Sequence, residues 1–315
     1  MRLGGVEAGG TKMVFGIGDE TGTVLEMKSV ATTSPEETIP PILDYFLSQQ
    51  VEAIGVGSFG PIQVDPDRPN YGAILNTPKT PWKGFEWPRA FAQVGCPVVI
   101  ETDVNAAVLG EAMYGAAAGL SDCVYVTIGT GIGGGVLAGG NLVHGLLHPE
   151  IGHMLVRRNP QDSFAGGCPY HRDCLEGLAS GPAVELRWGS KGSALEADHP
   201  AWDMEADYLA QMVVNLTLVL STKRVILGGG VMHQAQLYDK VRDRVREYLA
   251  GYIELPSSAN TNSSVNASLN GNALPKQHSP EKPSDAFIVP PGLGDLSGLV
   301  GALALAARSR IKPPH

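Results

Sequence analysis

The sequence predicts two facing α/β lobes, and three observations carry that prediction. The chain has 315 residues, more than one compact core ordinarily organises. Each half opens with the same pattern: an apolar run, a glycine turn bearing a threonine (Thr11, Thr130), and a second apolar run. Strand-like runs then alternate with helix-like segments, the pattern of mixed α/β layers.

In chain order, the first lobe begins with strands over 3–6 and 13–17, joined by Gly9-Gly10. A third strand over 23–30 follows the turn Asp19-Glu20-Thr21-Gly22. Pro35 with Glu36 and Glu37 starts a helix reaching residue 49, since proline and acids suit a first turn. Residues 53–57 and 98–101 are short buried strands, after which Asp103 acts as N-cap of a helix over 104–114. The second lobe repeats the meander with strands over 124–128 and 133–137. A loop rich in cysteine and histidine occupies 148–176, and helices follow over 180–188 and 201–222. A strand over 224–227 runs into Gly228-Gly229-Gly230, with a helix over 233–249. Residues 256–286, dominated by Ser, Asn and Pro, read as a flexible surface excursion. A strand over 287–289 and a helix over 296–308 close the chain. The expected division is 1–115, completed by 291–315, against 116–290.

Composition narrows the partners. A 43% apolar fraction fills two cores, and a net charge of −9 argues against nucleic acid and anionic membranes as partners. It leaves nucleotides open, because backbone N–H groups and a divalent cation can hold a small anion. Glu7 interrupts any signal-peptide core, and the apolar run 299–307 is too short for a bilayer, so a cytoplasmic protein is expected. In that compartment the four cysteines are reduced or metal-bound.

Cys168, His171 and Cys174 stand at three-residue intervals, with His153 fifteen residues upstream. Two thiolates and two imidazoles suit a closed tetrahedral zinc site with no place for a catalytic water; cysteines that are merely buried and histidines that are merely at the surface are the alternative. Cys96 and Cys123 lack such company and are expected in the core. The zinc is then structural, and what it immobilises is the segment with Glu150 upstream and Glu176 downstream.

Gly129, Gly131 and Gly134 spell a G-x-G-x-x-G, yet the dinucleotide fingerprint needs a helix after the glycines, and here a hairpin is predicted. No Walker sequence occurs. What remains is a turn whose N–H groups can approach phosphate oxygens, with Thr130 adding a hydroxyl. Gly9-Gly10-Thr11-Lys12 offers the same from the other lobe. Tight turns without a ligand are the alternative for either loop taken singly. Asp103, between a strand end and a helix start, can accept the proton of an attacking hydroxyl during phosphoryl transfer; a plain helix cap is the alternative there.

Several segments then resemble one family. They are Glu7-Ala8-Gly9-Gly10-Thr11-Lys12, Thr102-Asp103-Val104-Asn105, the glycine run 128–135, His148-Pro149-Glu150-Ile151-Gly152-His153, and residues 168–176. Together they resemble the ROK sugar kinases, most closely the bacterial fructokinase branch. Ser58-Phe59-Gly60-Pro61 and residues 76–82 resemble that branch too. The resemblance implies an actin-like (ribonuclease-H-like) fold, a homodimer, and ATP with Mg²⁺ meeting a hexose in the cleft. D-fructose is the implied hexose, with glucose, mannose or an N-acetylated amino sugar as the alternative. A sugar-sensing regulator is the alternative from another class. Such relatives carry a DNA-binding segment first, and the strand beginning at residue 3 with the acidic balance weighs against it.

Residue by residue, the resemblance makes Asp103 the base and Glu150, His153 and Glu176 the sugar-orienting groups. Gly60, Pro61, Asn76 and Thr102 join the sugar site. Gly9, Gly10, Thr11, Lys12, Thr130, Gly131 and Gly133 would lie by the ATP phosphates. Pro182, Gly228, Gly229, Gly230, Val231 and Met232 would lie by the adenine and ribose. The chain departs from the wider family in three places: Glu7 holds the usual aspartate position as a water-mediated magnesium contact, His171 replaces a cysteine, and Thr102 replaces an asparagine.

Overall fold

The computed structural model describes residues 1–256 and 286–311; the expected excursion at 256–286 lies outside these, apart from its end residues. The first meander is β1 (Leu3–Ala8), β2 (Lys12–Gly18) and β3 (Val24–Ala31), followed by α1 (Pro35–Gln49) and β4 (Ala53–Ser58). Next come α2 (Trp87–Phe91), β5 (Val98–Thr102) and α3 (Asp103–Tyr114). The second meander is β6 (Cys123–Ile128), β7 (Ile132–Ala138) and β8 (Asn141–Leu142). The short α4 (Leu175–Ala179), α5 (Gly181–Trp188) and the long α6 (Ala201–Leu220) lead to β9 (Val225–Gly228) and α7 (Gln236–Leu249). β10 (Ile288–Val289) and α8 (Ser297–Ile311) end the described chain.

The two sheets have the same plan. Their strand orders are β3-β2-β1-β4-β5 and β10-β9-β6-β7-β8, each an antiparallel meander extended by parallel strands beside its first member. The internal echo in the sequence is therefore a structural repeat. All six residues of β4 are buried, as a parallel strand covered on both faces should be. Beside the end of β4, Trp82, Phe85, Trp87 and Phe91 interlock, and Trp87 donates its indole N–H to Ser58 Oγ at 3.0 Å. That bond anchors the strand end from which residues 59–61 emerge.

α8 returns to the first sheet and packs on β1, β4 and α3. The approach is close enough that a Cβ at Gly55 would strike the Ala302 carbonyl, and one at Gly301 the Ala106 carbonyl. α3 packs on β6 and β7 as well as on α8, so the two sheets share one helix layer. Cys123 is buried as expected, while Cys96 is only half-buried at the edge of the first core.

Two local expectations are corrected. Thr102, not Asp103, is the N-cap of α3: it keeps an extended backbone, and its hydroxyl accepts the Asn105 N–H at 3.0 Å. Asp103 is thereby the first helical residue. The helix expected from 233 begins only at Gln236, because Gly230–His233 forms a tighter 3₁₀ turn. Among the described residues no helix is long and apolar enough to cross a membrane.

Candidate active site

The site is assembled where strand ends meet helix starts. β1 carries Glu7 near its end, and the β5–α3 corner carries Asp103. Asp103 Oδ1 accepts its neighbour's amide, Val104 N–H, at 2.9 Å. Burial pushes the Asp103 carboxyl up to about 6 against the pull of those backbone N–H groups. Glu7 is raised to about 7, first by burial and then by the charge of Asp103, with Lys12 and, more weakly, the Leu299 N–H of α8 opposing. Glu150 is likewise raised to about 7, by burial and then by the charges of Glu176 and Asp103. Its side chain keeps 46% of its surface accessible, so the shift reflects a crowded but open cleft. Glu7 and Glu150 thus each lie within the field of Asp103, and Glu150 within that of Glu176 as well, a concentration of carboxylates that favours cations.

The metal set closes as the spacing implies. The ligand atoms of His153, Cys168, His171 and Cys174 all lie within 4.8 Å of one another. His153 Nδ1 stands 3.8 Å from Cys168 Sγ and 3.6 Å from Cys174 Sγ, and His171 Nδ1 stands 3.8 Å from Cys168 Sγ. Ordinary Zn–S and Zn–N lengths about a tetrahedral centre put such edges at about 3.6 Å, so the donor set fits zinc. Both cysteines are buried and His171 is exposed. The knuckle is held by paired backbone bonds between Cys168 and Arg172, with Arg172 in the left-handed region at φ 59°. His153 turns Nδ1 toward the thiols, which leaves Nε2 for another partner.

Glu176 is the second residue of α4, directly after the knuckle, and its Oε2 accepts the Ile132 N–H of the glycine hairpin at 2.9 Å. The metal loop and the Thr130 turn are thereby tied together. Gly181 N–H donates to the Gly129 carbonyl at 2.8 Å, so the start of α5, with Pro182, abuts the same turn. Gly229, at φ 88°, lies against the Ile128 backbone, where a Cβ would not fit. The Thr130 turn, the start of α5 with Pro182 and the segment around Gly229 are therefore adjacent, while Met232 is buried in the second core and Gly133 lies against Val104 of α3. Gly9, Gly10, Thr11 and Lys12 form the β1–β2 turn on the other sheet, where Thr32 Oγ1 donates to the Gly9 carbonyl at 2.8 Å.

The residues expected at the sugar divide. Gly60 and Pro61 lie beside His148, whose Nε2 accepts the Ile62 N–H at 3.3 Å and whose Nδ1 is 3.5 Å from Glu150 Oε1. Asn76 follows a strand-like pairing of Leu75 with Pro61, but its amide oxygen is taken by Lys83 Nζ at 3.3 Å. Thr102 is buried and caps α3. Sequence reasoning missed a polar cluster behind Asp103. Glu101 Oε2 accepts Asn105 Nδ2 at 2.6 Å, and Glu101 Oε1 pairs with His144 Nε2 at 2.6 Å. Glu101 and Asn105 flank Asp103 at two residues on either side, the one available hint; His144 has no local signal.

Comparison with known proteins gives concordant results. A family model described as ROK family matches residues 3–309. The fructokinase of Pediococcus pentosaceus is 43% identical over 307 residues, spanning 97% of this chain and 98% of its own. The fructokinase of Zymomonas mobilis subsp. mobilis is 40% identical over 319 residues, spanning 98% and 97% respectively. A solved ROK family glucokinase from Streptomyces griseus, in complex with glucose and AMPPNP, is 25% identical, with a TM-score of 0.71 and coverage of 98% and 100%.

Proposed function

The chain belongs to the ROK family and is a sugar kinase with the actin-like two-lobe fold, and from that premise we propose that it transfers the terminal phosphoryl group of ATP to the 6-hydroxyl of D-fructose. The observation that carries the reading is the placement of Asp103 at the first turn of α3, in a cleft shared with Glu7, Glu150 and Glu176. A base for an alcohol works best when its own affinity for the proton is near the operating pH, and burial moves Asp103 in that direction.

In this reading Asp103 accepts the hydroxyl proton as the oxygen attacks phosphorus. Glu150, Glu176 and His153 Nε2 hold the other hydroxyls, with Gly60, Pro61, Asn76 and Thr102 bordering the sugar. The backbone N–H groups of the two glycine turns, with Thr11, Lys12 and Thr130, hold the phosphates. The face around Pro182 and residues 228–232 takes the adenosine part. Glu7 would hold Mg²⁺ through water, and a cation there would screen phosphate charge during transfer. His153, Cys168, His171 and Cys174 would hold zinc, whose contribution is to fix the ring orientation and tautomer of His153. The cytoplasmic location and the homodimer belong to the same reading.

The test is ADP release coupled to a spectrophotometric readout, with Mg²⁺ present, across fructose, glucose, mannose and N-acetylglucosamine. Fructose should be turned over with the highest kcat/KM. Turnover of glucose or mannose ahead of fructose would replace the substrate, and turnover of none would sink the kinase reading.

A further inference from the structure

Loop 143–150 leaves the second sheet after β8, yet its histidines bind residues of the first lobe. His144 Nε2 stands 2.6 Å from Glu101 Oε1, at the end of β5, although the two residues are 43 apart in sequence. Glu101 is 4% exposed, and its other oxygen is held by Asn105 Nδ2 at 2.6 Å and Thr102 N–H at 3.3 Å. With Nε2–H directed at Glu101, the 3.4 Å approach of His144 Nε2 to Asn105 Nδ2 is a by-product of both gripping the same carboxylate. Asn105 itself is fully buried, and its Oδ1 has no partner among the described residues. A buried amide kept at that cost, two residues beyond Asp103, argues for a role other than packing.

His148 makes the second attachment. Its ring is buried, Nε2 accepts the Ile62 N–H at 3.3 Å across 86 residues, and Nδ1 faces Glu150 Oε1 at 3.5 Å. Burial disfavours the imidazolium, and the neutral ring can do both things at once, accepting at Nε2 and donating from Nδ1. One histidine therefore touches the β5–α3 corner that bears Asp103. The other touches the loop after Gly60-Pro61 and the carboxylate of Glu150.

We propose that His144 and His148 form a two-point clasp that seats loop 143–150 of one lobe on the other and so fixes Glu150 opposite Asp103. Both are positioning residues for the sugar, and the inference rests on reading Asp103 and Glu150 as the groups that face it. A clasp of this kind acts on sugar placement and leaves the nucleotide face, built from the hairpin, α5 and residues 228–232, untouched. A misplacement of about 1 Å in a reacting pair can cost up to ~10²-fold in rate, so loosening the loop should be plainly visible.

The experiment compares the full chain with His144→Ala, His144→Gln and His148→Ala. Steady-state kinetics and amide hydrogen exchange of the peptide covering 143–150 are measured for each. His144→Ala and His148→Ala should raise the sugar KM by about tenfold or more and lower kcat, with the ATP KM within about twofold of the parent. Exchange in 143–150 should quicken in both. His144→Gln, whose amide can still donate to Glu101, should recover most of the sugar KM; it also serves if the alanine variants fold poorly. Unchanged sugar KM, or parallel rises in both KM values without faster exchange in the loop, would overturn the clasp. If the parent turns over no hexose, the kinase reading falls on that result alone. Exchange then decides the clasp separately: quickening confined to 143–150 upholds it and no quickening removes it.

Discussion

Asp103 occupies the first position of α3, where the helix start offers it amide hydrogens while its surroundings strip it of water. The two effects oppose each other, and burial wins, leaving the carboxyl near 6. The consequence is a pH limb: a base must be unprotonated, so kcat/KM for the sugar should fall as pH drops below about 6. Because Glu7 and Glu150 lie in the same field, the limb reports the cluster as a unit. Asp103→Asn should retain sugar binding, measured by calorimetry, while turnover drops by ~10²–10⁴ and the acidic limb disappears. A variant with near-parental turnover would assign the base elsewhere. Asp103 was legible in the sequence because a carboxylate at a strand–helix junction is a local pattern. The neighbouring pair of Glu101 and His144 was not, since a contact across 43 residues leaves no periodicity to read.

At the scale of elements, the metal knuckle and the helix layer have different claims to the site. The knuckle was readable from the three-residue ligand spacing alone, and its donors stand where zinc would require them. Its reach was not readable: Glu176, two residues past Cys174, braces the glycine hairpin through Ile132. Stripping zinc with a chelator should therefore raise the sugar KM and lower the melting temperature, with the ATP KM following to a smaller degree through the hairpin. A sugar KM that ignores chelation would reduce the knuckle to a structural staple. The contact of α3 with α8 makes a separate prediction. Gly301 lies against the Ala106 carbonyl, so Gly301→Ala must push the helices apart. The cost should be about 1–3 kcal/mol in denaturant unfolding, despite alanine's better helix propensity. Gain in stability would mean the helices give way easily. The sequence foretold α8 as a helix but not this crossing, because glycine in an Ala/Leu-rich run signals nothing about which neighbour it faces.

For the whole molecule, the balance of buried acids sets how stability responds to pH. Glu7 and Glu150 are raised to about 7 and Asp103 to about 6, each first by burial. Glu205, inside α6 with neither oxygen hydrogen-bonded among the described residues, is raised well above its ordinary value by burial, with Arg187 only partly opposing. An acid whose proton is held more tightly in the folded state contributes stability that is complete below its unfolded value. That contribution is lost as pH rises through the folded value. His144, raised by its bond to Glu101, acts in the same direction, while His148, lowered by burial, opposes them as pH climbs from its folded value up to its unfolded one. Asp122, lowered to about 2 by the Gly139 N–H, Ser121 and Lys223, and Asp162, lowered chiefly by Tyr208 and Arg187 against its burial, matter only in stronger acid. Raised groups outnumber the lowered one across the window between ordinary carboxylate titration and neutrality. The ligand-free protein, without added magnesium, should therefore melt at a lower temperature at pH 7.5 than at pH 5.5. Glu205→Gln removes one titrating group without changing its shape, and should shrink that difference mainly by raising the melting temperature at pH 7.5. Calorimetry at the two pH values measures both. A melting temperature that rises toward neutrality would mean that the cleft carboxylates keep their charges without strain, and that the site is not poised to hold a proton.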